Sequence, residues 1–257
     1  MHNKIYVLYD MKNIIDVVEN LNHNYVNEKL NLNASTKVID RKTKYNFFPK
    51  DYDELKNLVN KLIKERGEDA DLNDINTSKI TDMSSLFYPL RSEIRNINIS
   101  YWDVSNVISM NNMFTSCKKF NCDLSNWMPI NLETCKNMFD NCEEFNSNMF
   151  FNTPKLTDTY KMFNRCVKFN KNLSKLNTLN LVNAEGMFQN CKNFNQDISN
   201  WKLPKIKNIN WMFSCCISFN QDLSKWKIPK SVAKLGTFLK CKNLDVIPLW
   251  FKTQKNK

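Results

Sequence analysis

A motif of about fifteen residues recurs along the chain, and its regular spacing constrains the fold more than any other feature. Residues 187–201 read MFQNCKNFNQDISNW, and residues 113–127 and 212–226 carry near copies of this segment. The second residue of the motif recurs every 24 to 27 residues, at Phe87, Phe114, Phe139, Phe163, Phe188 and Phe213, with a weaker copy at Phe238. Such a period indicates stacked units, each of which buries its apolar face against its neighbours.

The spacing inside each unit predicts a tight coil. Apolar residues approach the Met-Phe pair in steps of three, as in Ile206, Ile209 and Met212. A step of three suits neither a long α-helix nor a long strand, but it suits short strand, turn and 3₁₀-like pieces. We therefore expect the inward Met, Phe and Cys side chains of successive coils to form one elongated core.

The amino-acid sequence of the repeat resembles that of a known family. Residues 102–127 read WDVSNVISMNNMFTSCKKFNCDLSNW, which is similar to the BspA-like leucine-rich-repeat "surface protein" repeat. The resemblance covers residues 75–251, although Asn152 and Leu176 stand where other copies have Trp. It implies an α/β repeat fold, a leucine-rich-repeat-like solenoid of about seven 25-residue coils with an N-terminal capping helix. Relatives of this kind are often surface-associated and take part in adhesion or host interaction.

Four segments are expected along the chain. Residues 1–45 form a small accessory segment, with a strand in IYVLY and a helix over residues 14–30. Residues 46–74 hold an amphipathic capping helix and a linker, because Asp51 and Gly67 flank a stripe of apolar residues at helical spacing. The repeats occupy residues 75–251, and residues 252–257 form a basic tail.

The composition limits the partners and the location of the protein. The net charge of +11 and the pI of about 9.1 favour acidic partners, but the lysines look scattered along the chain, so nucleic acid is an unlikely partner. The absence of a long apolar segment argues against a membrane span. The absence of a signal-peptide core predicts a cytoplasmic protein, with the cell surface or secretion by another route as the alternative. We expect a monomer.

The Cys and the Asn that recur at the same position of each repeat are predicted to be structural. The cysteines form no C-x-x-C pair, and the only histidines, His2 and His23, lie outside the repeats, so we predict neither a metal site nor any cofactor. A ladder within the core is expected for Cys117, Cys142, Cys166, Cys191, Cys216 and Cys241. A ladder that satisfies backbone groups at turns is expected for Asn121, Asn146, Asn170, Asn195 and Asn220, the alternative being a polar strip that binds sugar or peptide.

The residues between each ladder Cys and the next Phe vary from copy to copy, and they are the predicted contacts to a partner. They are Lys118, Lys119, Glu143, Glu144, Lys168, Lys192, Asn193, Ile217 and Ser218. No set of nucleophile, base and oxyanion donors accompanies them, so we predict no enzymatic activity. The expected function is macromolecular interaction, mainly with protein, including adhesion or host interaction. The alternatives are an intracellular scaffold or regulatory protein and a basic-surface nucleic-acid binder.

Overall fold

The computed structural model describes residues 45–149 and 152–252, and here the chain winds into coils that stack in register. Isolated parallel β-bridges join one residue of each coil to the equivalent residue of the next. The longest series of bridged residues is Asp82, Ser109, Thr134, Asp158, Asn183, Asn208 and Ala233. The 25-residue sequence period is therefore the length of one coil.

The predicted α/β repeat, a leucine-rich-repeat-like solenoid with an N-terminal capping helix, is wrong as a description of this fold. The described residues contain isolated bridges but no extended strand and no sheet. Their helices are α1 (Tyr52–Arg66), a 3₁₀ turn (Tyr88–Leu90) and the single-turn α2 (Leu249–Lys252). Most of each coil is instead a chain of turns, closed by hydrogen bonds from a backbone N–H to the carbonyl three residues earlier, as from Cys117 to Phe114 at 2.9 Å.

Left-handed residues explain why no strand forms: the coil of Phe87 has one, Ser85, and every later coil has two. They stand two positions before and two positions after the Phe of the Met-Phe pair, with φ between 50° and 62°, and around Phe139 they are Asn137 and Asn141. Left-handed backbone breaks an extended run, and Asn adopts it at lower cost than most residues. The N–H groups of Asn137, Phe139 and Asn141 donate to carbonyls of the following coil at 2.8–2.9 Å. The coils are thus joined by hydrogen bonds although their backbone bends continually.

Stacked aromatic rings fill the interior of the coils. Phe163 lies nearly parallel to Phe139 and Phe188, with centroid distances of 5.6 and 5.7 Å. A second column runs beside the first, so that Phe163 also stacks on Phe169 of its own coil at 4.2 Å. Burying one such ring stabilises the fold by roughly 1.5–3 kcal/mol. The two Phe columns therefore supply a large part of the core.

Tryptophans mark a third column near the coil edge. Trp226 stacks on Trp201 at 6.1 Å and on Trp250 at 6.0 Å. Each indole N–H donates to a carbonyl of the preceding coil, as from Trp226 to Ile198 at 3.0 Å. Leu176 is buried at the position where other copies have Trp, and a shallow cleft of about 140 Å³ lies between Leu176 and Trp201.

Helix α1 lies within the segment for which the sequence predicts a helix. Asp51 accepts a hydrogen bond from the Glu54 N–H at 2.9 Å, and Gly67 ends the helix with a φ of 87°. Its buried residues Leu55, Val59, Leu62 and Ile63 belong to the same core cluster as the coils. At its C-terminal end the Arg66 guanidinium binds both carboxylate oxygens of Asp74 at 2.9 Å.

The other predicted elements lie outside the described residues. These are the strand in IYVLY, the helix over residues 14–30 and the tail residues 253–257.

Candidate partner-binding surface

The variable residues form a single exposed row along the stack. We call Lys118, Lys119, Glu143, Glu144, Lys168, Lys192, Asn193, Ile217 and Ser218 the variable row. All of them are exposed or half-exposed. Backbone hydrogen bonds between coils hold the row in register, as from the Glu144 N–H to the Lys118 carbonyl at 3.0 Å and from the Ser218 N–H to the Lys192 carbonyl at 3.1 Å. The structure thus brings together the residues that vary among the repeats.

Ion pairs connect the charged residues at one end of this row. The Lys118 ammonium lies 2.8 Å from the Glu143 carboxylate, and the Lys168 ammonium contacts the Glu144 carboxylate in the same way. About half of each of these side chains is exposed, so each pair contributes only about 0.2–1 kcal/mol. Because the pairs are weak, a charged partner can replace them at little cost.

The cysteine column is hydrogen bonded between coils, and all of its members are buried except Cys241, which is half-buried. Each thiol of the column donates a hydrogen bond to a Phe carbonyl of the preceding coil. The S···O distance is 3.7 Å for Cys117 and 2.8–2.9 Å for Cys142, Cys166, Cys191, Cys216 and Cys241. Burial raises the pKa of Cys117 and of Cys241 to about 12. Burial also raises the pKa of the four cysteines between them well above its usual range. A thiol held neutral in this way is a poor nucleophile and a poor metal ligand.

The asparagine column is a continuous hydrogen-bonded ladder. The side-chain oxygen of each Asn accepts the backbone N–H of the equivalent residue in the next coil, from Asn121 through Asn146, Asn170, Asn195 and Asn220 to Asp245, at 2.8–3.0 Å. These amide oxygens are occupied by the fold. The polar strip is therefore only partly available to a sugar or a peptide.

The aspartates of the repeat are engaged in turns. Each of three Asp carboxylates accepts the backbone N–H of the Ser two residues later, at 2.8 Å. The pairs are Asp123 with Ser125, Asp197 with Ser199 and Asp222 with Ser224. Hydrogen bonding to Ser199 lowers the pKa of Asp197, and hydrogen bonding to Ser224 lowers that of Asp222. The carboxylates of Asp197 and Asp222 are thus stabilised in the charged form, which suits a turn rather than a general acid.

The interpretation of the lysines as scattered overlooked a cluster. Residues 200–252 contain ten lysines and only two acidic residues, Asp222 and Asp245. The exposed residues Lys202, Lys225 and Lys227 are direct neighbours in sequence of Trp201 or Trp226, so they lie along the edge of the coils that the tryptophan column follows. The net charge calculated segment by segment would have shown this asymmetry.

Within residues 45–149 and 152–252, no three His, Cys, Asp or Glu side chains form a group that could hold a metal ion. No helix in this part of the chain is long and apolar enough to cross a membrane.

Comparison with known proteins places the repeats in a family. No match was found among curated proteins or among solved structures. A family model does match, once over residues 54–150 and again over residues 149–247, so that two consecutive copies cover more than half of the chain. The protein therefore belongs to the family described as "Mycoplasma protein of unknown function, DUF285".

Proposed function

We propose that this repeat protein is a non-catalytic binding protein that contacts another macromolecule, mainly protein, through the variable row. The observation that carries the proposal is the contrast between the row and its surroundings. Cys142 and Asn146 are fixed by contacts to neighbouring coils, whereas Glu143 and Glu144 between them project from the surface. A repeat protein that varies its exposed residues on a constant frame gains a specific surface without changing its fold.

The chemistry of the other polar residues supports binding rather than catalysis. Burial holds the thiols of the cysteine column in the neutral form, and the ladder occupies the asparagine oxygens. The Asp carboxylates accept hydrogen bonds within their own turns. A catalytic site needs groups that are free to act on a substrate.

The repeat sequence of residues 102–127 favours the BspA-like "surface protein" type, and with it a role in adhesion or host interaction. An intracellular scaffold is the second candidate. It is favoured by the nine cysteines, all of which are free thiols, as expected in a reducing compartment. Protease treatment of intact cells, followed by detection of the protein, separates the two candidates, because only an adhesin on the surface is cut.

A pull-down with charge-reversed protein tests the proposal. In the variant Lys118→Glu, Glu143→Lys, the ion pair is kept with its direction reversed, so the fold keeps this contact while the surface pattern changes. The addition of Lys192→Glu extends the change to a further coil. A matched control carries Lys207→Glu, which is exposed and lies outside the row.

We expect the triple variant to lose partners that the wild type and the control retain. An unchanged set of partners for the triple variant would contradict the claim that the variable row is the binding surface.

A further inference from the structure

We propose that the lysine-rich edge of the last coils, together with an apolar turn beside it, docks the protein peripherally on an anionic lipid surface. We define the basic edge as Lys202, Lys225, Lys227 and Lys230 and the apolar turn as the exposed residues Ile247 and Leu249. This binding surface is separate from the variable row and adds a second contact to the proposed function.

The basic edge carries an excess of positive charge. All four lysines of the basic edge are exposed. No ion pair among the described residues involves any of them, although seven such pairs occur elsewhere. Asp197 and Asp222 are close enough to Lys225 to attract its ammonium group, but neither forms an ion pair with it, and two carboxylates do not balance four lysines. The edge therefore presents ammonium groups that attract an anionic surface at short range.

Two positions that carry polar turn residues in four other coils carry aliphatic residues in the last coil. Four coils have an Asp or Asn followed two residues later by Ser, whose N–H closes the turn, as in Asn172 with Ser174 and Asp222 with Ser224. In the last coil Ile247 and Leu249 occupy these two positions, and 44% and 77% of their surfaces are exposed. Exposed aliphatic side chains at positions that hold polar turn residues in other coils indicate a surface that makes apolar contact with a partner.

The tryptophan column places the two features on the same edge. Leu249 precedes Trp250, which stacks on Trp226 at 6.0 Å and donates its indole N–H to the Leu223 carbonyl at 2.9 Å. Lys225 and Lys227 are the sequence neighbours of Trp226, and Leu249 is a sequence neighbour of Trp250. The lysines and the exposed Leu249 therefore lie on adjacent coils, each next to the tryptophan column.

This combination fits a bilayer better than it fits a nucleic acid. Phosphate groups of either partner attract lysines, but only a bilayer offers an apolar layer beneath its charged surface for Ile247 and Leu249. Single-strand binders stack bases on exposed aromatic rings, whereas Trp201 and Trp226 beside the lysines are buried. Each lysine near an anionic membrane strengthens binding roughly fivefold, so four of them with an apolar anchor support reversible docking.

Co-sedimentation with lipid vesicles tests the proposal. The probes are vesicles of phosphatidylcholine alone and vesicles in which roughly one-third of the lipid is phosphatidylglycerol. We expect the full chain to bind the anionic vesicles only, and the binding to weaken as NaCl is raised from about 0.1 M to about 0.5 M. Circular dichroism of each variant confirms that it is folded.

Two variants and a matched control assign the binding to residues. Substitution of Gln for the four lysines of the basic edge should weaken binding at least about a hundredfold. Substitution of Gln for Lys118, Lys119, Lys168 and Lys192 removes the same charge from the variable row, and we expect less than about a threefold effect. The variant Ile247→Asn, Leu249→Ser restores the turn residues of an earlier coil and should weaken binding roughly tenfold.

Four results would overturn the proposal. They are no binding to anionic vesicles at low salt, equal binding to neutral vesicles, equal losses in the edge variant and its control, and preferential binding of DNA that survives about 0.2 M salt. The last result would assign the edge to a nucleic acid. All of these readouts are independent of the pull-down through the variable row, so either proposal can fail alone.

Discussion

The two halves of the described chain share one core but differ in surface charge. Residues 50–149 carry eleven Lys and Arg against sixteen Asp and Glu, whereas residues 152–252 carry seventeen against five. Five ion pairs lie wholly within the first half and two join the halves, but none lies wholly within the second. The first half therefore has more carboxylates than cations, whereas only one cation of residues 152–252, Lys168, is in an ion pair.

This difference shows which positions of a repeat can vary. A core residue such as Phe139 contacts rings of the coils on both sides, at 5.4 and 5.6 Å, so a change there disturbs three coils at once. The side chain of an exposed residue such as Lys227 is not part of a ring column, and its charge can change at little cost to the stack. The core thus preserves the fold while the surface acquires separate partners.

The largest effect is expected where the two halves meet. Phe163→Ala removes a ring that stacks on Phe139 and Phe188, and the cavity should cost about 3–5 kcal/mol of the free energy of unfolding. Because the core is continuous, a urea titration followed by tryptophan fluorescence should show one transition shifted as a whole. Phe48→Ala, at a ring that is 65% exposed, is the control and should change stability by less than about 0.5 kcal/mol. A loss confined to one half would show that the halves fold independently.

The next effect concerns the left-handed position two residues before each Phe. It holds Ser85, Asn112 or Asn137 in the first half and Lys161, Gly186, Trp211 or Gly236 in the second. A Cβ on Gly236 would lie 2.4 Å from the Trp211 ring, whereas one on Gly186 would meet the flexible side chains of Lys161 at 3.0 Å and Gln189 at 3.3 Å. Gly236→Ala should therefore cost about 2–4 kcal/mol, and Gly186→Ala about 1–2 kcal/mol. Thermal unfolding of both variants measures the difference, and equal losses would show that the ring moves aside freely.

A smaller loss is expected from the asparagine ladder. The Asn170 oxygen accepts from the Asn195 N–H at 3.0 Å and from the Gln196 side chain at 2.9 Å. Asn170→Ala leaves both donors without this acceptor and should cost about 1–3 kcal/mol. Asn170→Asp keeps an oxygen at the same place and serves as the control. If urea denaturation shows equal losses for the two variants, the ladder is not what stabilises this turn.

Apolar spacing determines the repeat period, the core columns and helix α1, so these features could be predicted from the sequence. The bent backbone could not be predicted, since residues as different as Asn112, Lys161 and Trp211 share one left-handed conformation. Hydrogen bonds between coils hold that conformation, as from the Lys161 N–H to the Glu185 carbonyl at 2.8 Å, and side-chain type does not report them. The expected α/β fold failed for this reason.

The two surfaces differ in how far sequence reveals them. The variable row is visible because it is flanked by the constant residues Cys and Phe. The basic edge is hidden because the acidic first half offsets it in the total charge of +11. Only the stacking of Trp226 on Trp201 and Trp250 shows that the lysines and the apolar turn share one edge.

An ion pair in the acidic half should make stability depend on pH. Hydrogen bonding to Arg66 lowers the pKa of the Asp74 carboxyl in the folded protein. The pair therefore stabilises the fold above the unfolded pKa of about 3.9, and this contribution is lost as the pH falls through the lower folded pKa. Asp74→Asn should cost about 1–2 kcal/mol at neutral pH and much less near pH 3. Urea titrations at both pH values test this, and a gap that does not narrow would assign the loss to something other than charge.

The smallest expected effect contrasts one lysine of each half directly. Lys118 pairs with Glu143 at 2.8 Å, whereas Lys230 is exposed and has no carboxylate partner among the described residues. Lys118→Ala should lower stability by about 0.2–1 kcal/mol, while Lys230→Ala should leave it unchanged or raise it slightly by relieving repulsion among the lysines around it. Salt screens both terms, so the two variants should converge in thermal melts at about 0.5 M NaCl. If Lys230→Ala instead proved the more destabilising at low salt, the basic half would owe part of its stability to its lysines, and their exposure would no longer point to an external partner.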